Sequence, residues 1–241
     1  MKIDILSLFP EYFRSPFDES IIKRAREAGI IDIRLTNIRD YSENRHRRVD
    51  DRPYGGGPGM VLMPGPVTQA IRAVKQENSW IVLLSPQGKT LSAEKCRQLA
   101  QKEHLVLICG HYEGIDERAL SEVHEEISIG DYVLTNGCAA ALVVIDATVR
   151  FIPHVLGHAL AAQEDSFENG LLDCPHYTRP EVYKGQQVPQ VLLSGDHKKI
   201  AEWRRGRALE KTMRNRPDLL QREKDLEELE ETENEKIDNH S

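Results

Sequence analysis

The sequence predicts an α/β fold on a parallel sheet, and three features carry that expectation. Two continuous apolar runs, Trp80–Leu84 (WIVLL) and His104–Cys109 (HLVLIC), have the composition of strands buried on both faces, as strands beneath crossover helices are. Helical patterns alternate with the strand-like runs, as in βαβ units. Three successive strand runs each finish in a polar, glycine-containing loop, and parallel sheets gather ligands outside the carboxyl ends of their strands.

Taken in order, Lys2–Phe9 (KIDILSLF) alternates apolar and polar residues as a half-buried strand does. Ser20–Ala28 reads as a helix closed by Gly29, and IIDIRLTNI follows as a second strand, which makes a βαβ opening. Next comes a polar, Arg-rich loop over Asn44–Met60, NRHRRVDDRPYGGGPGM. Five of the six residues from Gly55 to Met60 are glycine or proline, which forbids regular structure and lets backbone approach a partner closely. The spacing matches neither the dinucleotide nor the P-loop fingerprint. A loop of this length is more often functional than idle, so Arg45, Arg47, Arg48 and Arg52 are candidate phosphate contacts. Asp50 and Asp51 among them are placed to orient those arginines or to meet a polar base edge.

Pro64–Gln76 is expected to be helical, and WIVLL to end in the polar turn SPQGKT. Ser92–Lys102 is an amphipathic helix with Ser92 at a capping position, although no Glu completes the capping box. The strand HLVLIC runs into GHYEGIDER. A third strand, Ile127–Val133, ends in LTNG, and the Ala-rich segment Cys138–Arg150 reads as a buried helix stopped by Pro153. Asn136-Gly137 offers positive-φ freedom just before that helix. A strand-to-helix turn with exposed backbone groups suits a nucleoside; a tight turn in a buried core is the plainer reading.

At 241 residues the chain holds one large domain or two small ones. Its 39% apolar and 29% charged residues are those of an ordinary soluble protein, and no apolar run is long enough to span a membrane. The N-terminus carries acids at Asp4 and Glu11 and no cleavage site, so it is not read as a secretion signal. Four scattered cysteines without a C-x-x-C pair fit reduced thiols in the cytoplasm. The net charge of −7 misleads: the tail Arg222–Ser241 carries 3 basic and 9 acidic residues, so residues 1 to 221 are near neutral. Within them Asp196–Gln221 holds eight Lys/Arg against four Asp/Glu, compatible with phosphate contacts or with a solvated helix face.

The strings VDDRPYGGGPGM, LLSPQGK, CGHYEGIDER, SIGDYVLTNG, AQEDSF, GLLDCPHYTRPE and VLLSGDHKKIAEWRR closely resemble the bacterial tRNA (guanine-N1)-methyltransferases, the TrmD family of the SPOUT class. The resemblance runs in order from about Met1 to Gln221. It implies a parallel sheet with a deep trefoil knot, followed by a small helical C-terminal domain. It also implies methyl transfer from S-adenosylmethionine to N1 of the guanosine just 3′ of the tRNA anticodon. The implied division is a cofactor-binding catalytic domain over 1–157, a flexible linker over 158–170, and a tRNA-binding domain over 171–221. The acidic tail 222–241 lies beyond the resemblance and reads as a frayed helix or disorder.

Carried residue by residue, the resemblance places the cofactor in three loops. These are Leu84, Ser85 and Pro86; Gly110, Tyr112 and Glu113; and Ile129, Gly130, Asp131, Tyr132, Val133 and Leu134, continuing into Asn136, Gly137 and Ala140. Guanine N1 carries a proton and is a poor nucleophile, so a base must take that proton while a cation stabilises charge growing on O6. Asp165 matches the family's general base and Arg150 its partner. Burial would raise the Asp165 pKa and a nearby Arg would lower it; without the resemblance, Asp165 reads as a loop acid or helix N-cap. The implied substrate contacts are Arg48, Asp50, Gly55 and Gly57 in the Arg-rich loop, and Ser166, Asp173, His176 and Arg179 after the linker. Lys198, Lys199, Trp203 and Arg204 follow, although a Trp on a helix face is more often core. The resemblance further implies a homodimer with active sites shared between subunits. No residue pattern assigns Mg²⁺, and His154 with His158, lacking a third ligand, makes no zinc site.

The chain departs from the family pattern in the turn, where Asn136-Gly137-Cys138-Ala139-Ala140-Ala141 replaces Gly-Gly-Glu-Leu-Pro-Ala. His111 stands for Arg and His154 for Gly. Asn tolerates positive φ, so the turn is expected to survive, with changed cofactor affinity. Two alternatives accompany the main reading: a knotted methyltransferase acting on another RNA, and a tRNA-binding homologue weakened in catalysis.

Overall fold

The computed structural model describes residues 1–157 and 165–220. The chain divides into two compact units, Met1–Ala159 and Leu160–Ser241. His158, most of the expected linker and the acidic tail lie outside the described residues.

The first unit is built on five parallel strands: β1 (Lys2–Ser7), β2 (Asp32–Asn37), β5 (Ser79–Thr90), β6 (His104–Cys109) and β7 (Glu125–Ser128). Their order is β2-β1-β6-β5-β7. A short antiparallel pair, β3 (Asp50–Asp51) with β4 (Val61–Leu62), closes the base of the Arg-rich loop. The helices are α1 (Arg14–Phe17), α2 (Ser20–Glu27), α3 (Pro64–Val74), α4 (Ala93–Ala100) and α5 (Cys138–Val149).

Side chains alternate across a strand, so the apolar runs feed two cores, one on each face of the sheet. Val82, Leu84, Leu105 and Leu107 point to the face covered by α2, α4 and α5, where Ile22, Leu99, Val144 and Ile145 are buried. Ile81, Leu83, Val106 and Ile108 point to the other, where α3 buries Val67, Ala70 and Ile71. Burial on both faces explains why WIVLL and HLVLIC read as unbroken apolar runs.

Buried polar groups at the amino ends of the strands are paired. At the amino ends of the strands His104 Nε2 lies 2.7 Å from Asp4 Oδ2 and His104 Nδ1 lies 2.7 Å from Ser79 Oγ. The carboxylate needs a donor, which places a proton on Nε2, and Ser79 in turn accepts the Gln76 N–H at 2.6 Å.

Three local expectations are corrected. SPQGKT does not end its strand: β5 continues to Thr90 across a bulge between Leu84 and Lys89, and pairing with β7 resumes at Lys89↔Ile127. Gly88 permits this, because a Cβ there would stand 2.4 Å from the Glu126 carbonyl carbon. The third strand ends at Ser128 rather than Val133, since Ser128 Oγ accepts the Gly130 N–H and donates to the Gly130 carbonyl, and Gly130 turns the chain at φ +150°. Gly137 has φ −78° and Asn136 is not left-handed, so the turn before α5 uses no positive φ. Gly137 is the N-cap of α5, and Asn136, just before it, satisfies the first helical N–H, its Oδ1 accepting from Cys138 N–H at 2.9 Å. His154 does adopt φ +69°, a conformation that suits the Gly usual in the family pattern.

In the second unit β8 (Val182–Tyr183) and β9 (Gln186–Gln187) form a hairpin around Lys184-Gly185, both with positive φ. A short helix, α6 (Gln190–Leu193), leads into α7 (His197–Asn215), whose N-cap Asp196 accepts the Lys199 N–H.

Ser92 caps α4 despite the absent Glu, accepting the Lys95 N–H at 3.2 Å. Replacing Ser92→Ala leaves that helix-end donor to water and is expected to cost about 1 kcal/mol, read as a lower urea midpoint with unchanged slope.

Candidate active site

Leu84 pairs with Cys109 on one side and Ile127 on the other, so the bulge of β5 after Leu84 lies beside the loops that follow β6 and β7. They meet through backbone. The Gly137 N–H donates to the Gly110 carbonyl at 2.7 Å, and a Cβ on Gly137 would fall 2.8 Å from the Gly110 nitrogen. A Cβ on Gly110 would lie 3.4 Å from the Leu84 carbonyl oxygen. The expected cofactor residues Leu84, Gly110 and Gly137 are therefore neighbours, and glycine is needed at 137 for close approach.

The remaining loop residues line the rim. Tyr112 is exposed at φ +61°, and Ser85 and Pro86 turn outward from the buried Leu84. In the third loop Ile129 packs against the core, while Asp131, Tyr132, Val133 and Leu134 are exposed, Val133 at 82%. The Tyr132 hydroxyl donates to the Ile129 carbonyl at 3.1 Å and holds that turn. Ala140 is buried on the first turn of α5, where a small side chain keeps the helix close to the sheet. Apolar rims and side-chain-free backbone at strand ends fit an adenosine-sized ligand. An open hollow at Met1, Lys2, Gly29 and Lys102 lies at the opposite, amino ends of β1 and β2, away from these loops.

The Arg-rich loop is tied to the second of these loops. The Glu113 N–H donates to the Met60 carbonyl and the Leu62 N–H to the Gly114 carbonyl, both at 3.0 Å, and Gly59 leaves room for the Glu113 side chain. Arg48 is oriented by its acidic neighbours, its Nε donating to the Asp50 carbonyl at 2.8 Å and its Nη2 pairing with Asp51. Arg47 pairs with Asp40. Gly55 and Gly57 are exposed at positive φ.

The sequence reading did not assign a buried group between the loops. Cys138 Sγ lies 3.2 Å from Ser7 Oγ and 4.0 Å from His111 Nε2. Ser7 Oγ also accepts the Phe9 N–H at 3.0 Å, which anchors it beside the sulfur. His111 Nδ1 sits 3.0 Å from the Cys109 carbonyl, which only accepts, so Nδ1 carries a proton and Nε2 faces Cys138. Hydrogen bonding from Cys109, then from His111 and Ser7, outweighs burial and lowers the Cys138 thiol to about 5, while burial pushes Cys109 well up. The signal was there: His111 and Cys138 are two of the departures from the family pattern, and they face one another.

Arg150, at the carboxyl end of α5, belongs to the first unit, and Asp165 to the second. Asp165 opens a turn in which its carbonyl accepts the Glu168 N–H, and Ser166 Oγ accepts the Asp173 N–H at 2.9 Å. Asp173 Oδ2 lies 2.6 Å from His176 Nε2 and its Oδ1 accepts the Cys174 N–H. Burial would raise the Asp173 pKa, but the His176 ring and that N–H together hold it below the usual range. Asp173, Cys174 and His176 keep ligand atoms within 4.8 Å of one another, a clustering already explained by the carboxylate–imidazole pair. Lys211 donates to the Asp173 carbonyl and Thr212 Oγ1 accepts the Leu172 N–H, fixing this segment on α7. Arg179, Lys198, Lys199 and Arg204 are exposed. Trp203 is half-buried with its ring 6.2 Å from that of Tyr177.

Comparison with known proteins agrees with this geometry. The family model described as tRNA (Guanine-1)-methyltransferase TrmD matches residues 1–222. A protein of Protochlamydia amoebophila named tRNA (guanine-N(1)-)-methyltransferase is 68% identical over 221 residues, 91% of this chain and 100% of that one. Proteins of the same name from Chlamydia muridarum and Dictyoglomus turgidum are 60% and 50% identical over 91% and 96% of this chain. The chain spans 62% of the length of the C. muridarum relative and 96% of the D. turgidum one. Among the described residues no helix is long and apolar enough to cross a membrane.

A thiol held near 5 when folded and near 9 when unfolded binds fewer protons in the native state between those values. Its stabilising contribution is thus complete above about pH 9 and is lost as pH falls toward about 5. The stability gap between the native protein and Cys138→Ser, which does not titrate, is expected to narrow steadily on acidification, measured by urea midpoints across that range.

Proposed function

The chain belongs to the tRNA (Guanine-1)-methyltransferase family, and from that premise we propose that it methylates N1 of the guanosine just 3′ of the tRNA anticodon, using S-adenosylmethionine. The observation that carries this reading is the backbone junction of Gly110 with Gly137 beside the bulge of β5, inside a family match covering residues 1–222. Identity of 68% over a whole relative favours this activity over a knotted enzyme for another RNA. The fold proposed is the family's deep trefoil knot in the first unit, with the helical second unit contacting tRNA in the cytoplasm. A homodimer with shared sites suits the exposed Tyr132, Val133, Leu134 and Val143, which lie on or beside the buried helix α5.

When bound in the three loops, S-adenosylmethionine supplies an electrophilic methyl group on a sulfonium. The backbone segments that contain Leu84, Gly110 and Gly137 would hold it, with Gly110 and Gly137 shaping the floor through their bond to each other, and the exposed side chains of Tyr112, Tyr132 and Leu134 would flank its base. Asp165, as a carboxylate, would accept the proton from guanine N1 and become a neutral carboxyl as that nitrogen bonds to the methyl carbon and the carbon–sulfur bond breaks, its electron pair leaving with sulfur, so that the negative carboxylate and the positive sulfonium are neutralised together. Arg150 donates to O6 and stabilises charge that grows there. Arg48, set by Asp50 and Asp51, and Lys198, Lys199 and Arg204 hold phosphates. Asp173 and His176, paired and fixed on α7, orient the substrate near Ser166 and Arg179. Mg²⁺ is assigned no residue.

The test is transfer of labelled methyl groups to a tRNA with guanosine at that position, against the same tRNA with adenosine. Guanosine-dependent transfer is expected, falling about 10²–10⁴-fold in Asp165→Ala while S-adenosylmethionine still binds. Tight tRNA binding without transfer would leave the chain a binding protein.

A further inference from the structure

Two rungs join the second loop to the turn before α5. The first is the backbone bond from Gly137 N–H to Gly110 C=O. The second lies one residue further along both segments, where the Cys138 sulfur faces His111 Nε2. Cys138 has no exposed surface and His111 is 6% exposed. The ring of Phe9 covers the imidazole with centroids 5.2 Å apart. Each partner is anchored independently. His111 is fixed to the end of β6 through the Cys109 carbonyl, and the sulfur to the end of β1 through Ser7. The Cys138 N–H is held by Asn136 Oδ1, so the sulfur is set directly by the turn that precedes it.

From this geometry we infer that Cys138 and His111 are positioning residues: a buried thiol–imidazole latch that fixes the gap between the Gly110 loop and the Asn136-Gly137 turn, and so sets affinity for S-adenosylmethionine. The inference rests on the cofactor reading above. One proton lies between sulfur and Nε2, Ser7 Oγ lies within hydrogen-bond reach of the sulfur, and His111 Nδ1 stays on the Cys109 carbonyl. The groups facing the sulfur are Ser7, Cys109 and His111. Loss of Cys138 leaves His111 Nε2 buried without its partner, and loss of His111 leaves a void beside the sulfur, in each case next to a backbone contact that tolerates no widening. The latch therefore acts through the loop backbone, and the cofactor need not touch either side chain.

The experiment measures S-adenosylmethionine dissociation constants by calorimetry on the full chain, with thermal midpoints and the KM and kcat of methyl transfer alongside. Cys138→Ala and His111→Ala are each expected to weaken cofactor binding about tenfold, equivalent to about 1.4 kcal/mol. KM for the cofactor should rise with it, and KM for tRNA should not. The double variant should be no worse than either single one, because the two residues act as a unit. Cys138→Ser, which keeps a donor and acceptor, should restore affinity to within about twofold. Should an alanine variant not fold, His111→Asn and His111→Gln replace it: Asn keeps the amide near Nδ1 and loses the Nε2 contact, whereas Gln keeps it. Asn is then expected to bind weakly and Gln well. Additive single effects, Ser behaving as Ala, or unchanged affinity in a folded Cys138→Ala protein would each overturn the latch alone. A native protein that does not bind S-adenosylmethionine would overturn the cofactor reading and the latch with it.

Discussion

The rest of the first unit is arranged around the contact between Gly110 and Gly137. A 2.7 Å backbone bond, with no room for a Cβ, brings the end of β6 against the start of α5. For that to happen α5 must lie close to the sheet, which explains its small residues Ala140 and Ala141 and its burial of Val144, Ile145 and Val149 beneath it. An Ala-rich helix has high propensity and little side-chain bulk, so it can sit close at small entropic cost. The apolar content of α5 is thus a consequence of proximity as much as of core filling.

The same constraint explains how the departures from the family pattern coexist. Asn136 occupies a turn position that needs no left-handed backbone, and its Oδ1 satisfies the first N–H of α5, which helps to set the start of a helix that lacks the family's proline. His111 and Cys138 face one another across the junction, so two departures are one local change in a buried pair. Only the third glycine-dependent feature, Gly137 itself, is retained, and it is the one for which the packing admits no alternative.

Much of the fold was legible because burial imposes a period. WIVLL and HLVLIC could be read as two-sided strands, and Cys138–Arg150 as a buried helix, from composition alone. The third strand was drawn too long because Tyr132, Val133 and Leu134 carry strand-like side chains in an exposed rim, where apolar character serves a surface and not a core. The strand order was illegible, since β6 lies between β1 and β5 through contacts across a hundred residues. Ser7, His111 and Cys138 were missed for the same reason: nothing local links residues 131 positions apart. The expected site residues come from consecutive strings, whereas the Ser7–Cys138–His111 cluster is assembled only by topology.

Charge follows the same distinction between local and global. The overall balance of −7 comes from the acidic tail, whereas recognition of a phosphate backbone depends on which cations are uncommitted. On α7, Lys199, Arg207 and Arg216 each pair with a carboxylate, at Asp196, Glu210 and Asp218. Among the described residues, Lys198, Arg204 and Arg205 show no such ion pair and are exposed. A cation already paired must exchange one partner for another on meeting phosphate, whereas an unpaired, hydrated one releases the nucleic acid's counterions without that loss. The helix therefore carries basic residues that reach phosphate directly and others, Lys199 among them, that must first release a carboxylate partner. That division gives α7 a basic character that neither net charge nor isoelectric point reveals.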